Sequence, residues 1–389
     1  MKKALIIASV PSMIEQFNMN NIKILQELGY QVDVATNFEN GGTISKERTA
    51  EFKKELANIN VKCYNIPFAR NPFSKSNIKA YKEIKKIVQE DNNYNIIHMH
   101  SPIGGVCGRL ACRKLPKKDL KVIYTAHGFH FYKGAPLLNW IIYYPIEKWL
   151  SKYTDCLITI NKEDYELAKK KFKAKRVELV NGVGVDENKF NFEMSKDDKH
   201  QLRKSLGLKD DDFVLIQVGE LNKNKNQIMA IETMKDLVKK YSNIHLLIVG
   251  IGGLEDFYKQ KVKEYNLSKN IHLLGYRKDV PKLLKISDVL LSLSYREGLP
   301  VNVIEGLIAG LPAIVTDCRG SRDLVEDGVN GYVIKIDNNE ELLKGIINLK
   351  EKELTKLNSE SEIEATLVNM KSFTTEQVNN EIEKIYKTK

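Results

Sequence analysis

The sequence predicts an α/β protein built from two doubly wound domains that face a central cleft. Its 389 residues are enough for two domains that each bury a core. Strand-like apolar runs alternate with segments of helical periodicity along both halves, which is typical of parallel sheets covered by helices on both faces. With 42% hydrophobic and 29% charged residues, the composition is that of a soluble folded chain and excludes a disordered one.

Short apolar runs in the first half predict the strands of the first domain. They cover residues 4–10, 31–36, 61–66, 96–100, 121–126, 155–160 and 177–180. Between them the pattern predicts helices such as 17–28, which would end at Gly29 as a C-terminal cap, and 78–89, whose apolar residues share one face. We interpret the aromatic segment 137–150 as a core helix of this domain, with contact to a membrane interface as the alternative.

The second half repeats the same alternation. Its predicted strands cover residues 213–218, 245–249, 271–274, 289–293, 313–316 and 332–334. The stretch between the two halves lacks periodicity and is rich in Asn, Asp and Gly, so we predict domains at 1–185 and 199–358 joined by a linker at 186–198. The tail, 359–389, is polar and helical in pattern, and it could pack on either domain, including back on the N-terminal one.

Charge and cysteine content bear on partners and compartment. The net charge of +11 lies in the first half, because residues 1–190 carry +12 and residues 191–389 carry −1. One interpretation is an anionic partner, such as a lipid headgroup surface, a diphosphate-linked acceptor or nucleic acid; the other is a solvated basic surface.

The chain has five cysteines and no Cys-x-x-Cys pair, which excludes a disulfide framework and a standard zinc site. This cysteine content favours the cytoplasm, where thiols stay reduced.

The most informative cluster of polar residues follows the predicted strand 289–293. A helix is predicted to open at about Pro300, and ligands of open α/β sheets bind at the carboxyl ends of strands. Free backbone amides near Gly298 and Leu299, at the positive end of the helix dipole, suit a phosphate. The segment therefore predicts an anion site.

Two carboxylates flank that predicted anion site, Glu297 before the helix and Glu305 within it. Because a carboxylate repels a phosphate, they are better suited to accept hydrogen bonds from sugar hydroxyls; the alternative is a capping or solvent-exposed pair. Together with segments 309–317 and 327–332, these residues resemble the signature of retaining nucleotide-sugar glycosyltransferases of family 4, in which seven residues separate two glutamates. That family has the GT-B fold of two Rossmann-like domains.

The resemblance assigns roles to the residues of this signature. It implies that Glu297 holds hydroxyls of the transferred sugar and that Glu305 holds the ribose. It also implies that the amides of Gly298 and Leu299 face the diphosphate.

A second match lies after the predicted strand 213–218. The resemblance places Gly219 in the nucleotide-sugar site, and Lys225 falls on the family's diphosphate-binding lysine. Glu220 departs from the family, because an arginine usually stands there; Lys223 or Arg296 could compensate for the missing charge.

The resemblance adds further candidate site residues. Arg277 matches a segment near the nucleotide base, with a surface arginine as the alternative. His127 matches the family's histidine beside the donor sugar, so Glu297, Lys225 and His127 are the predicted catalytic residues. Ser12 and His100 are candidates for the acceptor side.

By this resemblance the chain is a hexosyltransferase of bacterial exopolysaccharide or capsule synthesis. It would move a hexosyl or N-acetylhexosaminyl group from a nucleoside-diphosphate sugar, with UDP favoured, to a lipid-diphosphate-linked saccharide. No Asp-x-Asp turn lies where a metal would bridge the diphosphate, so we expect no metal. We also expect no other cofactor and no nucleic-acid partner. We expect a cytoplasmic protein held at the inner face of the membrane by its basic first half.

Three rival functions remain open on the sequence. A nucleotide-sugar 2-epimerase shares the fold and the donor, and product identity separates it from a transferase. A nicotinamide dehydrogenase is disfavoured, since no Gly-x-Gly-x-x-Gly follows the first strand of either domain. A polyanion- or membrane-surface-binding protein would explain the basic half but would leave the two-glutamate signature without a role.

Overall fold

The computed structural model describes residues 2–90, 93–115, 119–351 and 366–388. It divides into two compact units, the first formed by residues 1–184 together with 376–389 and the second by residues 185–375. The described residues of each unit form one parallel sheet with helices on both faces. This confirms the predicted α/β class and its two doubly wound sheets. The predicted boundary at 358/359 lies outside the described residues.

The sheet of the first unit has the strand order β3-β2-β1-β4-β5-β6-β7, in which the order reverses between β1 and β4. Its strands are β1 (Lys2–Ile7), β2 (Tyr30–Thr36), β3 (Lys62–Asn65), β4 (Tyr94–His100), β5 (Lys121–Ala126), β6 (Cys156–Thr159) and β7 (Arg176–Leu179). The central strands are buried on both faces, which explains why they are continuous apolar runs in the sequence.

Helices of the first unit cover the sheet in two layers. They are α1 (Pro11–Phe17), α2 (Met19–Glu27), α3 (Lys46–Asn58), α4 (Lys75–Glu90), α5 (Pro102–Cys112), α6 (Leu137–Leu150), α7 (Lys162–Lys171) and the C-terminal helix (Thr375–Lys387). Buried residues of α1, α2, α3 and the C-terminal helix pack on one face. Those of α4, α5, α6 and α7 pack on the other.

The predicted helix 17–28 is in fact part of a broken pair, because α1 ends at Phe17 and α2 begins at Met19. Asn18 lies between them with a φ of −127° and a ψ of 0°, and its buried side-chain amide donates to the carbonyl of Met13 over 2.9 Å. Local hydrophobic periodicity does not reveal such a break, since both helices present their apolar residues to the same sheet face.

The C-terminal helix is attached to the first sheet by side chains of two strands. Nζ of Lys121, in β5, donates to the carbonyls of Ile385 and Tyr386 over 3.0 Å each, which satisfies acceptors that the end of a helix leaves free. The hydroxyl of Tyr386 lies 2.8 Å from Nδ1 of His98, in β4. The last helix of the chain is thus integrated into the core of the first unit.

The second unit has the strand order β10-β9-β8-β11-β12-β13, which reverses between β8 and β11. Its strands are β8 (Phe213–Val218), β9 (Ile244–Val249), β10 (Ile271–Gly275), β11 (Val289–Ser292), β12 (Ala313–Thr316) and β13 (Gly331–Ile334). Its helices are α8 (Glu187–Phe190), α9 (Lys196–Ser205), α10 (Gln227–Lys240), α11 (Glu255–Glu264), α12 (Val280–Lys285), α13 (Val301–Ile308) and α14 (Asn339–Glu351).

The segment 186–198, predicted as a linker, contains α8 and the start of α9. Asp186 and Ser195 cap the two helices by accepting hydrogen bonds from backbone amides of their first turns. The Asn- and Asp-rich composition that indicates a linker also supplies N-caps, so the two cannot be told apart by composition alone.

Candidate functional site

The second sheet places two loops side by side at the point where its strand order reverses. One loop follows β8 and contains Gly219 and Lys225; the other follows β11 and contains Glu297. In open α/β sheets the carboxyl ends of the strands on either side of such a reversal form the ligand crevice. The two segments singled out in the sequence therefore meet at one location.

An ion pair joins these two loops. Nζ of Lys225 donates to Oε1 of Glu297 over 2.7 Å, and both side chains are largely buried. The backbone amide of Lys225 is held by Oδ1 of Asn222 at 3.0 Å. A Cβ built on Gly219 would lie 3.4 Å from the aliphatic carbons of Lys225, so this side chain runs alongside the glycine.

Backbone contacts fix the same two loops to each other. The amide of Tyr295 donates to the carbonyl of Asn224 over 2.9 Å, and the side chain of Asn224 donates to the carbonyl of Arg296 over 3.0 Å. Asn302, in the first turn of α13, donates to the carbonyl of Val218 over 3.2 Å. The ion pair thus lies on a rigid framework.

The start of α13 forms a second feature of this edge. Pro300 occupies the N-cap position with a φ of −77° and a ψ of 106°, and the helix begins at Val301. Within the described residues, neither Gly298 nor Leu299 donates its backbone amide to an acceptor. Unpaired amides and the positive end of a helix dipole favour an anion at this position.

Glu305 lies one turn into the same helix, with its carboxyl half-buried. Burial raises the pKa of this carboxyl from 4.5 to about 7, and the positive charge of Lys189 on α8 opposes the shift. The group therefore exchanges its proton near neutral pH, which is unusual for a glutamate.

The loops after β9 and β10 complete this edge of the sheet. Gly250 has a φ of +142°, and a Cβ there would overlap the carbonyl oxygen of Gly219, so the two loops pack backbone against backbone. Arg277 follows β10 and pairs with Asp279, its Nε and Nη2 donating over 2.8 and 2.7 Å. The side chain of Glu220 is exposed to solvent.

The first unit carries a cluster of histidines at the carboxyl ends of β4 and β5. Nδ1 of His100 lies 3.1 Å from Nε2 of His127, and Nε2 of His98 lies 2.8 Å from the hydroxyl of Thr125. Burial lowers the pKa of His98 to about 3 and that of His127 to about 4, and it holds the pKa of His100 well below 6.5. All three rings are therefore neutral at physiological pH.

Ser12 lies in the first turn of α1, also in the first unit, and its side chain is buried. Its hydroxyl oxygen accepts a hydrogen bond from the amide of Thr43 over 3.4 Å. Across the described ranges, no three His, Cys, Asp or Glu side chains are grouped so that they could hold a metal ion.

Comparison with known proteins relates this arrangement to one enzyme family. Residues 198–366 match the family described as "Glycosyl transferases group 1", and residues 7–161 match the family described as "Glycosyl transferase 4-like". The chain is 40% identical over 336 residues to "Putative glycosyltransferase EpsD" of Bacillus subtilis, an alignment that covers 86% of this chain and 84% of the relative. The chain belongs to the GT-B glycosyltransferases of family 4.

Two further similarities agree with this assignment. The glycosyltransferase is 31% identical over 303 residues to "UDP-Gal:alpha-D-GlcNAc-diphosphoundecaprenol alpha-1,3-galactosyltransferase" of Escherichia coli, covering 77% of this chain and 76% of the relative. Its fold matches the crystal structure of Alr3699/HepE from Anabaena in complex with UDP, with a TM-score of 0.77, 20% identity and coverage of 99% of each chain.

In this glycosyltransferase the predicted site residues form two groups. The second unit brings together the loop and helix residues of the two-glutamate signature and the loop after β8, with Lys225 and Glu297 in direct contact. The first unit brings His100 and His127 into contact. Arg277 is paired with Asp279 rather than with another predicted site residue.

Sequence reasoning missed Arg319, which lies in the loop after β12. Its guanidinium is buried, and Nε donates to the backbone carbonyl of Glu297 over 3.0 Å. The adjacent Gly320 has a φ of +78°, and a Cβ there would overlap the carbonyl oxygen of Gly298. A charged residue followed by glycine directly after a buried strand is the signal that could have identified this support.

Proposed function

We propose that this glycosyltransferase moves a hexosyl or N-acetylhexosaminyl group from a UDP-sugar to a lipid-diphosphate-linked saccharide, with retention at the anomeric carbon. The observation that carries the proposal is the Lys225–Glu297 pair beside the unpaired amides at the start of α13. This arrangement places a cation and the amides of a helix N-terminus next to a carboxylate that can accept hydrogen bonds from hydroxyls. The names of the Escherichia coli relative and of the UDP complex support the choice of donor and acceptor.

The diphosphate is the leaving group of this reaction, so its developing charge must be stabilised. Lys225 supplies a full positive charge, and the amides of Gly298 and Leu299 supply oriented dipoles. Preorganised donors of this kind stabilise a transition state strongly, because they need no reorganisation during the reaction. We propose that they act without a metal ion.

The carboxylates would hold the remainder of the donor. Glu297 would accept hydrogen bonds from hydroxyls of the transferred sugar, and the 2.7 Å contact with Lys225 orients its carboxylate. Glu305 would accept hydrogen bonds from the ribose. His127, neutral because of its burial, would contact the donor sugar as a hydrogen-bonding group rather than as a cation.

Retention requires the acceptor hydroxyl to attack from the face that the diphosphate leaves. We propose that a phosphate oxygen of the leaving group takes the proton of that hydroxyl while the new glycosidic bond forms and the old one breaks. Ser12 and His100 remain the candidates for the acceptor side, and the acceptor would be an intermediate of exopolysaccharide or capsule synthesis.

A lipid-linked acceptor implies work at a membrane surface. We propose that the first half, with its charge of +12 over residues 1–190, attaches peripherally to the anionic inner face of a cytoplasmic membrane. Each nearby Lys or Arg contributes on the order of 1 kcal/mol to such binding, and salt screens it. Co-sedimentation with anionic vesicles at low salt tests this part, and a protein that stays in the supernatant would contradict it.

Thermal unfolding with UDP, GDP, ADP or NAD, each in the presence of a chelator, tests the donor site. A ligand at a hundredfold excess over its Kd stabilises a protein by about 2.7 kcal/mol, which is readily detected. We expect UDP to stabilise the wild type and not Glu305→Ala. Stabilisation by NAD alone, or by none of the four, would contradict the proposal. Analysis of the product formed from a UDP-sugar then separates transfer from 2-epimerisation.

A further inference from the structure

Helix α6 presents an apolar face to solvent on the first unit. Five large apolar side chains of this helix have between 41% and 73% of their surface exposed: Leu137, Leu138, Ile141, Ile146 and Trp149. Soluble monomers rarely expose a contiguous apolar surface of this kind unless it is a site of interaction. The segment packs on the core of the first unit, as the sequence predicts, through Trp140, Tyr143 and Tyr144, and it carries this exposed apolar face in addition.

The opposite face of α6 packs on the core of the first unit through aromatic side chains, and it also contains one buried ion pair. Glu147 is buried there and accepts a hydrogen bond from the guanidinium of Arg109, in α5, over 2.8 Å. Arg109 also donates to the carbonyl of Gly105 and lies 4.0 Å from the centre of the Tyr124 ring. Loss of either partner of this buried ion pair would strongly destabilise the protein. The ion pair and the packed aromatic side chains together fix the orientation of the helix, with the exposed apolar face outward.

The length and the charges of α6 indicate the kind of surface that its exposed face would bind. The helix has 14 residues, and in the described part of the chain no helix is long and apolar enough to cross a membrane. Its one acidic residue is the buried Glu147, whereas Lys148 lies within it and Lys133 and Lys152 are exposed at its two ends. An apolar face that includes a tryptophan and has a basic rim fits the boundary between anionic headgroups and acyl chains.

We propose that α6 lies flat in the interface of an anionic bilayer, with its apolar face inserted among the headgroups and the first acyl carbons. Lys133, Lys148 and Lys152 would then lie at the level of the lipid phosphates. This inference rests on the proposed work at a membrane surface, and it adds an apolar, salt-resistant component to an attachment that charge alone would leave salt-sensitive.

Two double variants test whether α6 inserts into the bilayer, and each adds two negative charges. Leu138→Glu/Ile141→Glu alters α6, and Phe257→Glu/Val329→Glu alters exposed apolar residues of the second unit as the control. Binding is measured with vesicles of equal parts phosphatidylglycerol and phosphatidylcholine, at low salt and at ~0.5 M NaCl, where surface charges are largely screened. We expect the wild type and the control to stay bound at high salt and the α6 variant to lose at least tenfold in affinity.

Trp149 provides a second readout. The chain has two tryptophans, so Trp140→Phe leaves Trp149 as the only one. On vesicle binding we expect its emission to shift to the blue and to be quenched by lipids brominated near the headgroup end of the acyl chains. Unchanged emission on bound vesicles would overturn the inference.

The outcomes separate this inference from the proposed function. Equal, salt-sensitive binding of both double variants would overturn the role of α6 and leave the electrostatic attachment standing. A wild type that dimerises through this face, with dimers lost in the α6 variant and no vesicle effect, would assign the face to a second copy of the chain and also overturn it. Stabilisation by UDP, measured on the same variants without vesicles, reports the donor site independently and should be unchanged.

Discussion

Lys225 and Glu297 are 72 positions apart in the sequence, and their side chains meet at 2.7 Å across the reversal of strand order in the second sheet. Each follows a different strand, β8 or β11, and each is largely buried. The pair satisfies two charges that would be costly to bury singly. A diphosphate arriving at this edge would find the cation already oriented and would compete with Glu297 for it.

Replacement of either partner should reduce turnover, and it should also lower stability because the remaining charge loses its partner. We expect Lys225→Met to lower kcat roughly 100-fold, the scale observed when one preorganised donor is removed from a charged transition state. Glu297→Gln, which weakens the acceptor proposed for the sugar hydroxyls, should lower kcat as well. Steady-state kinetics with a UDP-sugar checks this, and circular dichroism checks folding. Lys239→Met, an exposed lysine on α10, is the matched control and should leave kcat unchanged. Wild-type rates in both site variants would refute these roles.

The affinity for UDP should depend on pH through Glu305. Because burial raises its pKa to about 7, the carboxyl is mostly protonated below that pH and mostly ionised above it. The ionised form is the better acceptor for ribose hydroxyls, so we expect Kd for UDP to fall as the pH rises from about 6 to 8. Calorimetric titration across this range measures it. In Glu305→Gln the dependence should disappear; its persistence would assign the pH effect to another group.

The same carboxyl should reduce stability at high pH. Its pKa in the folded protein lies above the unfolded value of 4.5, so the folded state binds more protons between pH 4.5 and about 7. The free energy of unfolding therefore decreases as the pH rises through this window, because the folded protein must then hold a half-buried negative charge. We expect Glu305→Gln to unfold at higher urea concentration than the wild type at pH 8. Equal midpoints there would show that burial of the charge costs little.

The buried histidines should make the protein less stable at low pH, the opposite of the effect expected from Glu305. Burial lowers the pKa of His98, His100 and His127 below 6.5, so the unfolded chain binds more protons than the folded one as the pH falls below 6.5. Their contribution to stability is present above pH 6.5 and is lost on acidification toward about pH 4. Urea unfolding of the wild type and His127→Gln over this range should show a shallower pH dependence in the variant. Parallel curves would mean that His127 is not held neutral.

Removal of apolar contacts of the C-terminal helix should destabilise the protein. Ile382 is buried against the first sheet, and we expect Ile382→Ala to lower the free energy of unfolding by about 2–4 kcal/mol. Lys384→Ala, on the exposed side of the same helix, is the control and should change stability little. Urea unfolding measures both. Similar midpoints in both variants would show that the helix contributes little to the first unit.

Much of the fold was predictable because its central strands are buried on both faces. Such strands are continuous apolar runs, and all the runs predicted as strands correspond to strands of the two sheets. The break at Asn18 and the helix α8 in the predicted linker were not predictable in the same way. They depend on individual side chains that bond to nearby backbone, and these leave the hydrophobic periodicity unchanged.

The candidate site was predictable only where it is local in sequence. The spacing of Glu297 and Glu305 and the position of Lys225 can be read from short motifs. Arg319 was not predictable because it donates to a backbone carbonyl of another loop, a contact that motif spacing does not reveal.

The sequence by itself determined the two alternating α/β halves, the excess positive charge of the first half and the two-glutamate signature that identifies the family. These are properties of composition and of short-range spacing. Only the tertiary structure decided that Lys225 contacts Glu297, that Tyr386 reaches His98 and that α6 turns its apolar face outward. The local pattern shows which residues share a face of a helix or strand. Which element covers that face depends on packing between distant parts of the chain, and local spacing does not encode it.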